Sequence, residues 1–417
     1  MYNREFIRRG STVVIFLWVL ALPFQLAAET QKVEAAISFE ELRAHAFSKS
    51  PLVAQIDASF ASQVGTAIET GQLQNPELQG EAQFAESYPG MRPDDRYSVS
   101  LSQPLRPSDF GTRSAVEGLL RKAATQQQQF ELLELSQSIL LQYVNLWALK
   151  SRKSFVEEMR ALASKKATLA AEGKNKGFLV TSEVKLLQGA AARLRLLELG
   201  LGADISNTEA SLTNLTGYAL TRYRIQQPQF SEIPSLKDAL RRSKENDLGM
   251  RRRVDLLEQV AQKQTDLAKK DSFPGFSPSL LYQHEDNTDF VGFGVSFELP
   301  FFNRNQREIL RKQKKARELR VKKNYLDGSA FQSELEATLK GVELKFKQAK
   351  AYESEVSPLF REALNAAERQ FESGQTSVVQ LWQAFLSHID ANEEQLTLWV
   401  NAYGARSKLS IMLGEEL

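Results

Sequence analysis

The sequence predicts a mainly helical protein with a small β component, built from two copies of one unit. Three observations lead to this prediction: a tandem repeat at an offset of 196 to 197 residues, helical runs close to seventy residues long, and four short strands that alternate apolar with small or polar side chains. Seventy helical residues would span about 100 Å. Helices of that length do not fit a compact globule, so they indicate a coiled coil or an elongated helical barrel.

The repeat is visible in short matching stretches and defines the domain prediction. The matches are YSVSLSQPL (97–105) with FGVSFELPF (293–301), LTG (215–217) with MLG (412–414), and Gly177 with Gly374. A solenoid would need several shorter repeats, so two copies of this size indicate two equivalent halves of one architecture. We therefore predict a first repeat over 29–217, a connector over 218–234 and a second repeat over 235–417.

The first thirty residues differ from the rest of the chain. Arg4, Arg8 and Arg9 precede the apolar run STVVIFLWVLAL (11–22), and two small residues follow at Ala27 and Ala28. This order is typical of a secretory signal peptide, and the run is short for a membrane-spanning helix. We predict a signal peptide over 1–28 and export of the mature chain; the alternative is an uncleaved N-terminal anchor.

Composition excludes several classes of function. The 53 basic and 51 acidic residues leave a net charge of +2, which gives no whole-chain attraction for nucleic acid. The chain contains no cysteine, which rules out disulfides and cysteine-based metal sites. The three histidines, His45, His284 and His388, are too scattered for a metal-binding tract. We expect them to be surface or packing residues.

Each long helix carries a heptad-like apolar seam. In the first copy the seam is Phe130, Leu133, Leu140, Val144 and Trp147; in the second it is Leu335, Leu339, Val342, Phe346, Ala349, Val356 and Ala363. Pro358 lies within the second helix and should kink or locally unwind it, because proline has no N–H and clashes with the preceding turn. The other sequence in this helix that is expected to interrupt it is Asp327-Gly328.

The strands are predicted at about 76–86 and 96–105 in the first copy, and at about 277–286 and 290–300 in the second. One face of the better-formed strands is apolar, and we expect it to face lipid; it consists of Tyr97, Val99, Leu101, Val291, Phe293, Val295 and Phe297. Alternation of this kind is typical of transmembrane β-barrels, although two hairpins packed on soluble helices fit it equally well. Four strands cannot close a barrel, whereas three chains would supply twelve.

A longer motif follows the last strand. FELPFFNRNQREI (297–309) resembles the "PLPLFxRNQG" motif of TolC-family outer-membrane efflux proteins, in particular their cobalt–zinc–cadmium (CzcC-type) branch. The matching residues are Pro300, Phe302, Asn303, Arg304, Asn305 and Gln306, while Arg307 stands where the family usually has glycine. NPEL (75–78), SLSQPL (100–105) and, in part, FGTR (110–113) are similar to further stretches of that branch. The resemblance extends over essentially the whole mature chain.

The resemblance implies the fold, the location and the partners. It implies a homotrimer in the bacterial outer membrane, with a twelve-stranded barrel among the lipids and a helical tunnel in the periplasm. Such proteins dock onto an inner-membrane pump through a periplasmic adaptor. The branch implies export of heavy-metal cations with a resistance-nodulation-division pump; a drug or protein-secretion conduit is the alternative within the family. A secreted coiled-coil scaffold is the alternative from another class.

The family resemblance also places the candidate site residues. RQFESGQTSVVQLWQA (369–384) and GFLVTSEVKLLQGA (177–190) resemble the turns at the periplasmic tip. We expect adaptor contact there, with two glycines in tight turns and hydroxyl residues capping the returning helices; these residues are Gly177, Thr181, Ser182, Gly374, Thr376 and Ser377. Some members of the family carry rings of aspartate at the constriction of the channel. Neither turn contains aspartate here, so Glu172 and Glu372 are the candidate gate acids that would take their place.

The run RNQREILRKQKKARELRVKK (304–323) contains ten basic and two acidic residues. The signal peptide argues against nucleic-acid binding, and a solvated helix face is the preferred interpretation. A sharper hypothesis places the run against anionic lipid headgroups, in which case charge reversal at Lys314, Lys315, Lys322 and Lys323 should weaken membrane retention. A conduit needs no bond chemistry, so we predict a protein that is not an enzyme and has no cofactor, catalytic residue or bound metal.

Overall fold

The computed structural model describes residues 36–84, 96–175, 180–220, 223–229, 232–285, 288–298 and 304–416. The helices are α1 (Phe39–Lys49), α2 (Pro51–Gly71), α3 (Thr112–Asn175), α4 (Thr181–Thr216), α5 (Leu236–Glu245), α6 (Met250–Lys270), α7 (Gln306–Asp327), α8 (Ser329–Ala351), α9 (Ser357–Glu372) and α10 (Val378–Leu413). The strands are β1 (Ala36–Ile37), β2 (Glu77–Gln83), β3 (Arg96–Ser102), β4 (Arg224–Ile225), β5 (Phe276–Glu285) and β6 (Thr288–Phe297). The predicted signal peptide, Gly177, Pro300, Phe302 and Asn303 lie outside the described residues.

The order of elements occurs twice along the chain, as the duplication predicts. Two helices, two strands, a very long helical run and a 36-residue helix follow one another in each half. The equivalent helices α2 and α6 both have 21 residues. The last helix of each half ends at a glycine in the left-handed conformation, Gly217 or Gly414. The domain limits drawn from the sequence remain predictions.

The four long strands form one antiparallel sheet in the order β2-β3-β5-β6. The sheet therefore joins a hairpin from each half of the chain through the β3–β5 pair. The strands lie within a few residues of their predicted positions, and β2 and β3 are shorter than expected at seven residues each. In β3 the chain leaves the regular ladder after Ser102, and Leu105 forms an isolated bridge to Phe276.

The long helices are as extended as the sequence predicts. The 64 residues of α3 span about 96 Å. In the second half, Gly328 separates α7 from α8, and a π-helical turn over Tyr352–Val356 separates α8 from α9 directly before Pro358. Proline cannot donate to the carbonyl one turn before it, so the helix widens locally, as predicted.

The π turn also corrects one predicted core residue. Ala363, expected on the apolar seam of the second copy, is exposed, while the next residue, Leu364, is 3% exposed. A π turn adds one residue to the helical period, so every position after it moves on by one. The seam residues before the turn, from Leu335 to Ala349, are buried as predicted.

The short β1 and β4 strands form a parallel pair that the sequence did not predict. Ile37 lies opposite Ile225, and the buried Tyr143 of α3 donates to the carbonyls of Ile37 at 2.9 Å and Gln226 at 2.8 Å. On the other half of the chain, the buried Tyr403 donates to the carbonyl of Pro228 at 2.5 Å. The connector is thereby fixed both to α3 and to α10.

Among the described helices, none is both long enough and apolar enough to cross a membrane. Their apolar residues lie in seams between helices rather than around the whole circumference. Three main core clusters hold the helices together. One joins α3 to α10 and α8, and a second joins α3 to α4 and α1. The third joins the parts of α3, α4, α9 and α10 that lie farther from the sheet.

Candidate functional site: the sheet, its junction with the helices, and the helix ends

The apolar side chains of the sheet lie in rows that cross all four strands. Leu78 pairs with Leu101, Leu101 with Leu280, and Leu280 with Phe293. The neighbouring row consists of Gly80, Val99, Tyr282 and Val291. These side chains are exposed in the single chain, up to 87% for Phe293. A continuous exposed apolar face of this kind requires an apolar environment, because single chains in water rarely expose such a patch.

The opposite face of the sheet is mainly small and polar, with Leu281 and Phe290 as its large apolar residues. It carries Ser98, Ser100 and Ser102 of β3, which are partly buried, and Gly292 and Gly294 of β6. In β2 the residues on this side are Glu77, Gln79, Glu81 and Gln83, all exposed. The seven residues predicted to face lipid, Tyr97, Val99, Leu101, Val291, Phe293, Val295 and Phe297, all lie on the other face and are exposed.

Aromatic side chains mark both ends of the apolar face. At one end the rings of Phe84 and Tyr97 meet edge to face at 6.2 Å. At the other end the rings of Phe276 and Phe297 lie 6.4 Å apart. Aromatic residues at the two ends of an apolar band are typical of strands that meet both water–lipid interfaces.

Two strand edges remain open within the described part of one chain. β2 and β6 form the two ends of the strand order, so each presents one side of its backbone without a neighbour in the sheet. Unpaired backbone groups cannot remain in lipid. If the apolar face contacts lipid, both edges must pair with further chains.

The junction between strand and helix explains one residue of the predicted motif. Asn305 directly precedes α7 with φ 56° and is the only non-glycine residue with positive φ in the described part of the chain. Its side chain donates to the carbonyl of Ala268 at 3.0 Å. Gly111 has φ 74° and directly precedes α3, so both long helices begin after a left-handed residue. Asparagine tolerates this conformation better than most residues. Arg304 is exposed, and Gln306 is the first residue of α7.

A cluster of ion pairs that sequence reasoning missed ties the sheet to the helices. Arg106 contacts Glu298 at 2.6 Å and Asp271 at 3.6 Å. Arg113 contacts Asp271 at 2.8 Å and the buried Asp109 at 2.6 Å. Burial raises the pKa of Asp271, although the two arginines oppose the shift. The residues come from both halves of the chain, so local sequence could not indicate the pairing.

The second helix turn has the geometry expected from its sequence. Gly374 has φ 74°, which places it in the region that glycine adopts without strain. Ser377 caps α10 by accepting from the backbone N–H of Gln380 at 3.3 Å. Thr376 donates to the side-chain oxygen of Gln380 rather than capping the helix itself.

At the first helix turn, the predicted caps are wrong. The residue at the start of α4 is Val180, whose N–H donates to Glu183 at 3.2 Å. Thr181 and Ser182 lie inside the first turn of α4 and are exposed. Glu183 can reach back to the helix start by itself, so no hydroxyl cap is needed there.

The candidate gate acids differ in their surroundings. Glu372, at the end of α9, accepts from Lys166 of α3 at 2.6 Å, and Lys166 also lies 3.6 Å from Glu368. The Lys166 side chain is only 4% exposed. The hydrogen bond from Lys166 lowers the pKa of Glu372. Glu172 is exposed near the end of α3. Lys166 continues the buried seam of Val156, Met159 and Ala163 at helical spacing. A charged residue at a buried position needs a partner of opposite charge, so this spacing was the sequence signal for the Lys166–Glu372 ion pair.

We expect a pH-dependent contribution to stability from this pair. The pKa of Glu372 is lowered on folding, so its stabilisation is complete at neutral pH and is lost as the pH falls below its ordinary value of 4.5. Glu372→Gln should therefore slightly lower the melting temperature at pH 7, and the difference from wild type should vanish at low pH. The measurement is thermal unfolding between pH 3 and 7. Glu172→Gln serves as the control; an equal effect of both variants would contradict the assignment.

The basic run on α7 is only partly available for other partners. Arg320 contacts Glu258 of α6 at 3.1 Å, and Lys323 pairs with Asp255 and Glu258. Lys315 contacts Glu318 at 3.0 Å. Lys314 and Lys322 are exposed. The preferred interpretation as a solvated helix face therefore needs refinement, because part of the run packs electrostatically on α6.

The three histidines lie in ordinary packing or surface positions. The ring of His45 stacks on Tyr218 at 4.6 Å, and His284 contacts Asp289 at 2.7 Å. His388 is 4% exposed against Phe155, and burial lowers its pKa. Within the described ranges, no three His, Asp or Glu side chains come together as a group that could hold a metal ion.

The fold is that of outer-membrane channels of known structure. No protein-family model and no curated protein matches the chain in sequence. The outer membrane protein VceC of Vibrio cholerae superposes with a TM-score of 0.73 at 16% identity, covering 90% of this chain and 96% of that one. The Campylobacter jejuni outer membrane channel CmeC gives 0.73 at 14% identity, covering 90% and 85%. The open state of the Neisseria gonorrhoeae channel MtrE gives 0.71 at 15% identity, covering 90% and 89%. The chain has the TolC-like channel fold.

Proposed function

We propose that the protein is the outer-membrane channel of a tripartite efflux system, with its helices in the periplasm. The observation that carries the proposal is the exposed apolar face, which runs without interruption across β2, β3, β5 and β6 between two aromatic ends. Ten-residue strands such as β5 and β6 have the length of tilted transmembrane strands, about 9–11 residues. Such a channel moves solutes passively and performs no bond chemistry.

The strand directions support closure of the barrel by identical chains. Every neighbouring pair in the sheet is antiparallel, so the two edge strands β2 and β6 run in opposite directions. When β6 of one copy meets β2 of the next, that pair is also antiparallel, and the pattern continues around a ring. Three copies give a closed barrel of about twelve strands, and closure satisfies the backbone of both edges. The proposed assembly is therefore a homotrimer.

The family resemblance implies the remaining partners, and the direction of the long helices indicates where they would dock. The helices extend away from the sheet, and the turn before α10 lies at their far end. We assign this end to a periplasmic adaptor that connects the channel to an inner-membrane pump of the resistance-nodulation-division class. The contacts would involve the turn residues Gly374, Thr376 and Ser377 and the start of α4 at Thr181 and Ser182.

Heavy-metal cations are the proposed substrates, as the CzcC-type resemblance implies. The polar face of the sheet supports a cation pathway, because Glu77 and Glu81 of β2 both point to this side. The positive charge nearest to them in the sheet, Arg96, is paired with Glu285 at 2.6 Å. Three copies would therefore place six glutamates of β2 along the wall of the channel.

Removing these glutamates should reduce the preference of the channel for cations. Fixed charges influence mobile ions over about 8 Å at physiological salt, a distance comparable to the radius expected for the lumen of such a barrel. We expect Glu77→Gln combined with Glu81→Gln to lower the cation-to-anion permeability ratio, measured as the reversal potential across a planar bilayer in a salt gradient. Gln79→Glu, on the same face, should raise the ratio. No change in either variant would contradict the cation pathway.

Membrane fractionation followed by light scattering of the detergent-solubilised protein tests the proposed function. A protein that fractionates with the outer membrane, resists carbonate extraction and has the mass of three chains would support the channel. A soluble monomer or dimer would instead favour a secreted coiled-coil scaffold. Loss of metal tolerance, without loss of drug tolerance, in a strain lacking the protein would support metal export over the other efflux roles.

A further inference from the structure

The helices form a layer with two free edges. α3 packs on α4 and on α10, and α10 packs in turn on α8 and α9. The lateral order is thus α4, α3, α10 and then the α8–α9 run. α4 belongs to the same half of the chain as β2, and α9 to the same half as β6. A ring that pairs β6 with the next β2 therefore also brings α9 beside α4 of the next copy.

The internal repeat shows that α4 lacks a neighbour. α4 and α10 are equivalent 36-residue helices at an offset of 197, yet α10 buries 17 residues and α4 only nine. Leu396 of α10 is 8% exposed, whereas its counterpart on α4, Leu199, is 64% exposed. Leu196, one turn away on the same side, is 70% exposed. A helix with an apolar stripe on this side is expected to pack there against another element.

The exposed side of α9 carries a matching stripe. Leu359 is 62% exposed, Ala363 is exposed and Ala366 is half-buried. These positions are separated by four and three residues, so they share one side of the helix. On α4, Leu196, Leu199 and the exposed Ala203 are separated by three and four residues. Each stripe thus contains both leucine and alanine. When the two helices run antiparallel, a leucine of one stripe can pack against an alanine of the other.

Ion pairs within the chain fix the relative heights of the two stripes. Arg160 of α3 contacts Glu198 of α4 at 3.0 Å, and Lys150 contacts Glu209 at 2.7 Å. By extrapolation of this antiparallel pairing, Lys166 lies at the height of residues 192–193 on α4. Lys166 also contacts Glu372 at 2.6 Å and Glu368 at 3.6 Å, which places the part of α9 between these two glutamates, centred on Gln370, at that same height.

Counting residues from the height of Lys166 toward the sheet aligns the stripe of α9 with that of α4. Counted from Gln370 on α9 and from residues 192–193 on α4, the pairs at nearly equal distance are Ala366 with Leu196, Ala363 with Leu199 and Leu359 with Ala203. The match holds to within about 3 Å along the helices, or two residues of helical rise. A rotation about an axis along the channel does not change height, so the same levels hold between neighbouring copies. Each large side chain then faces a small one.

We infer that α9 of one subunit packs on α4 of the next through these two stripes, with Ala363 facing Leu199. The inference rests on the proposed trimer and adds to it the helices, the side chains and the register of the contact between copies. The occupant of the exposed α4 stripe is therefore a second copy of this chain.

Disulfide cross-linking tests the register, because the chain contains no cysteine of its own. The test variant combines Leu199→Cys with Ala363→Cys in the full-length chain, and is oxidised in membranes. Its control combines Leu199→Cys with Gln370→Cys, which lies two turns further along α9, about 10 Å away. A disulfide requires Cα atoms closer than about 7 Å. Both variants are sized by light scattering in detergent and by gel electrophoresis without reductant.

We expect most of the test variant to run as dimers and trimers that collapse to single chains on reduction, while the control stays at least tenfold less cross-linked. A trimer by light scattering in which the control cross-links as well as the test variant, or in which neither does, would overturn the proposed seam and leave the channel proposal intact. A monomer in detergent for the wild-type chain would overturn both proposals.

Discussion

Val99→Arg is expected to prevent stable assembly of the protein in the membrane. Val99 lies in the middle of the apolar face, paired with Gly80 on one side and Tyr282 on the other, and its side chain is 46% exposed. An arginine on the lipid side of a barrel near the middle of the bilayer costs about 2–4 kcal/mol, and a trimer would carry three copies. Outer-membrane fractionation and trimer formation after detergent extraction measure the effect.

Ser100→Arg is the matched control for this experiment. Ser100 is the next residue of the same strand and points to the polar side, between Gln79 and Leu281. A charge there can reach water in the lumen, so we expect assembly close to wild type. If both arginine variants assemble equally well, the apolar face does not contact lipid. If both fail equally, the strand is disrupted for reasons unrelated to lipid.

Gly414→Ala is expected to destabilise the folded chain severely. Gly414 ends α10 with φ 70°, and a Cβ atom there would lie 2.2 Å from the carbonyl carbon of Leu248 and 2.3 Å from the nitrogen of Gly249. Both contacts involve backbone atoms, which cannot move aside as a flexible side chain would. The left-handed conformation costs about 1–2 kcal/mol for alanine, and overpacking adds about 1–3 kcal/mol or more. Denaturant unfolding measures the loss.

Gly374→Ala separates the two contributions in the Gly414 experiment. Gly374 has φ 74°, but an added Cβ would meet nothing within 4 Å. This variant should therefore lose only the conformational part, about 1–2 kcal/mol. Equal losses for the two alanine variants would show that the close approach of the loop between α5 and α6 to Gly414 does not occur in solution.

The sequence by itself determined the features that depend on local periodicity. Alternation located all four strands and grouped the residues from Tyr97 in β3 to Phe297 in β6 on one face of the sheet, where the strand pairing also places them. Heptad spacing located the long helices, and Gly328 and Pro358 indicated where the second one is interrupted. These predictions succeed because side-chain period, turn residues and proline act within one or two turns of the chain.

Only the tertiary structure decided which distant residues meet. The pairing of Arg106 with Glu298, of Lys166 with Glu372, and of β1 with β4 each joins residues well over 100 positions apart. The shift of the buried seam from Ala363 to Leu364 required knowledge of the π turn, and the capping of α4 through Glu183 required its starting residue. These outcomes depend on how the helices pack side by side. The two copies of the repeat carry similar apolar residues, so the sequence alone does not distinguish a helix that is buried between neighbours from one at the edge of the layer.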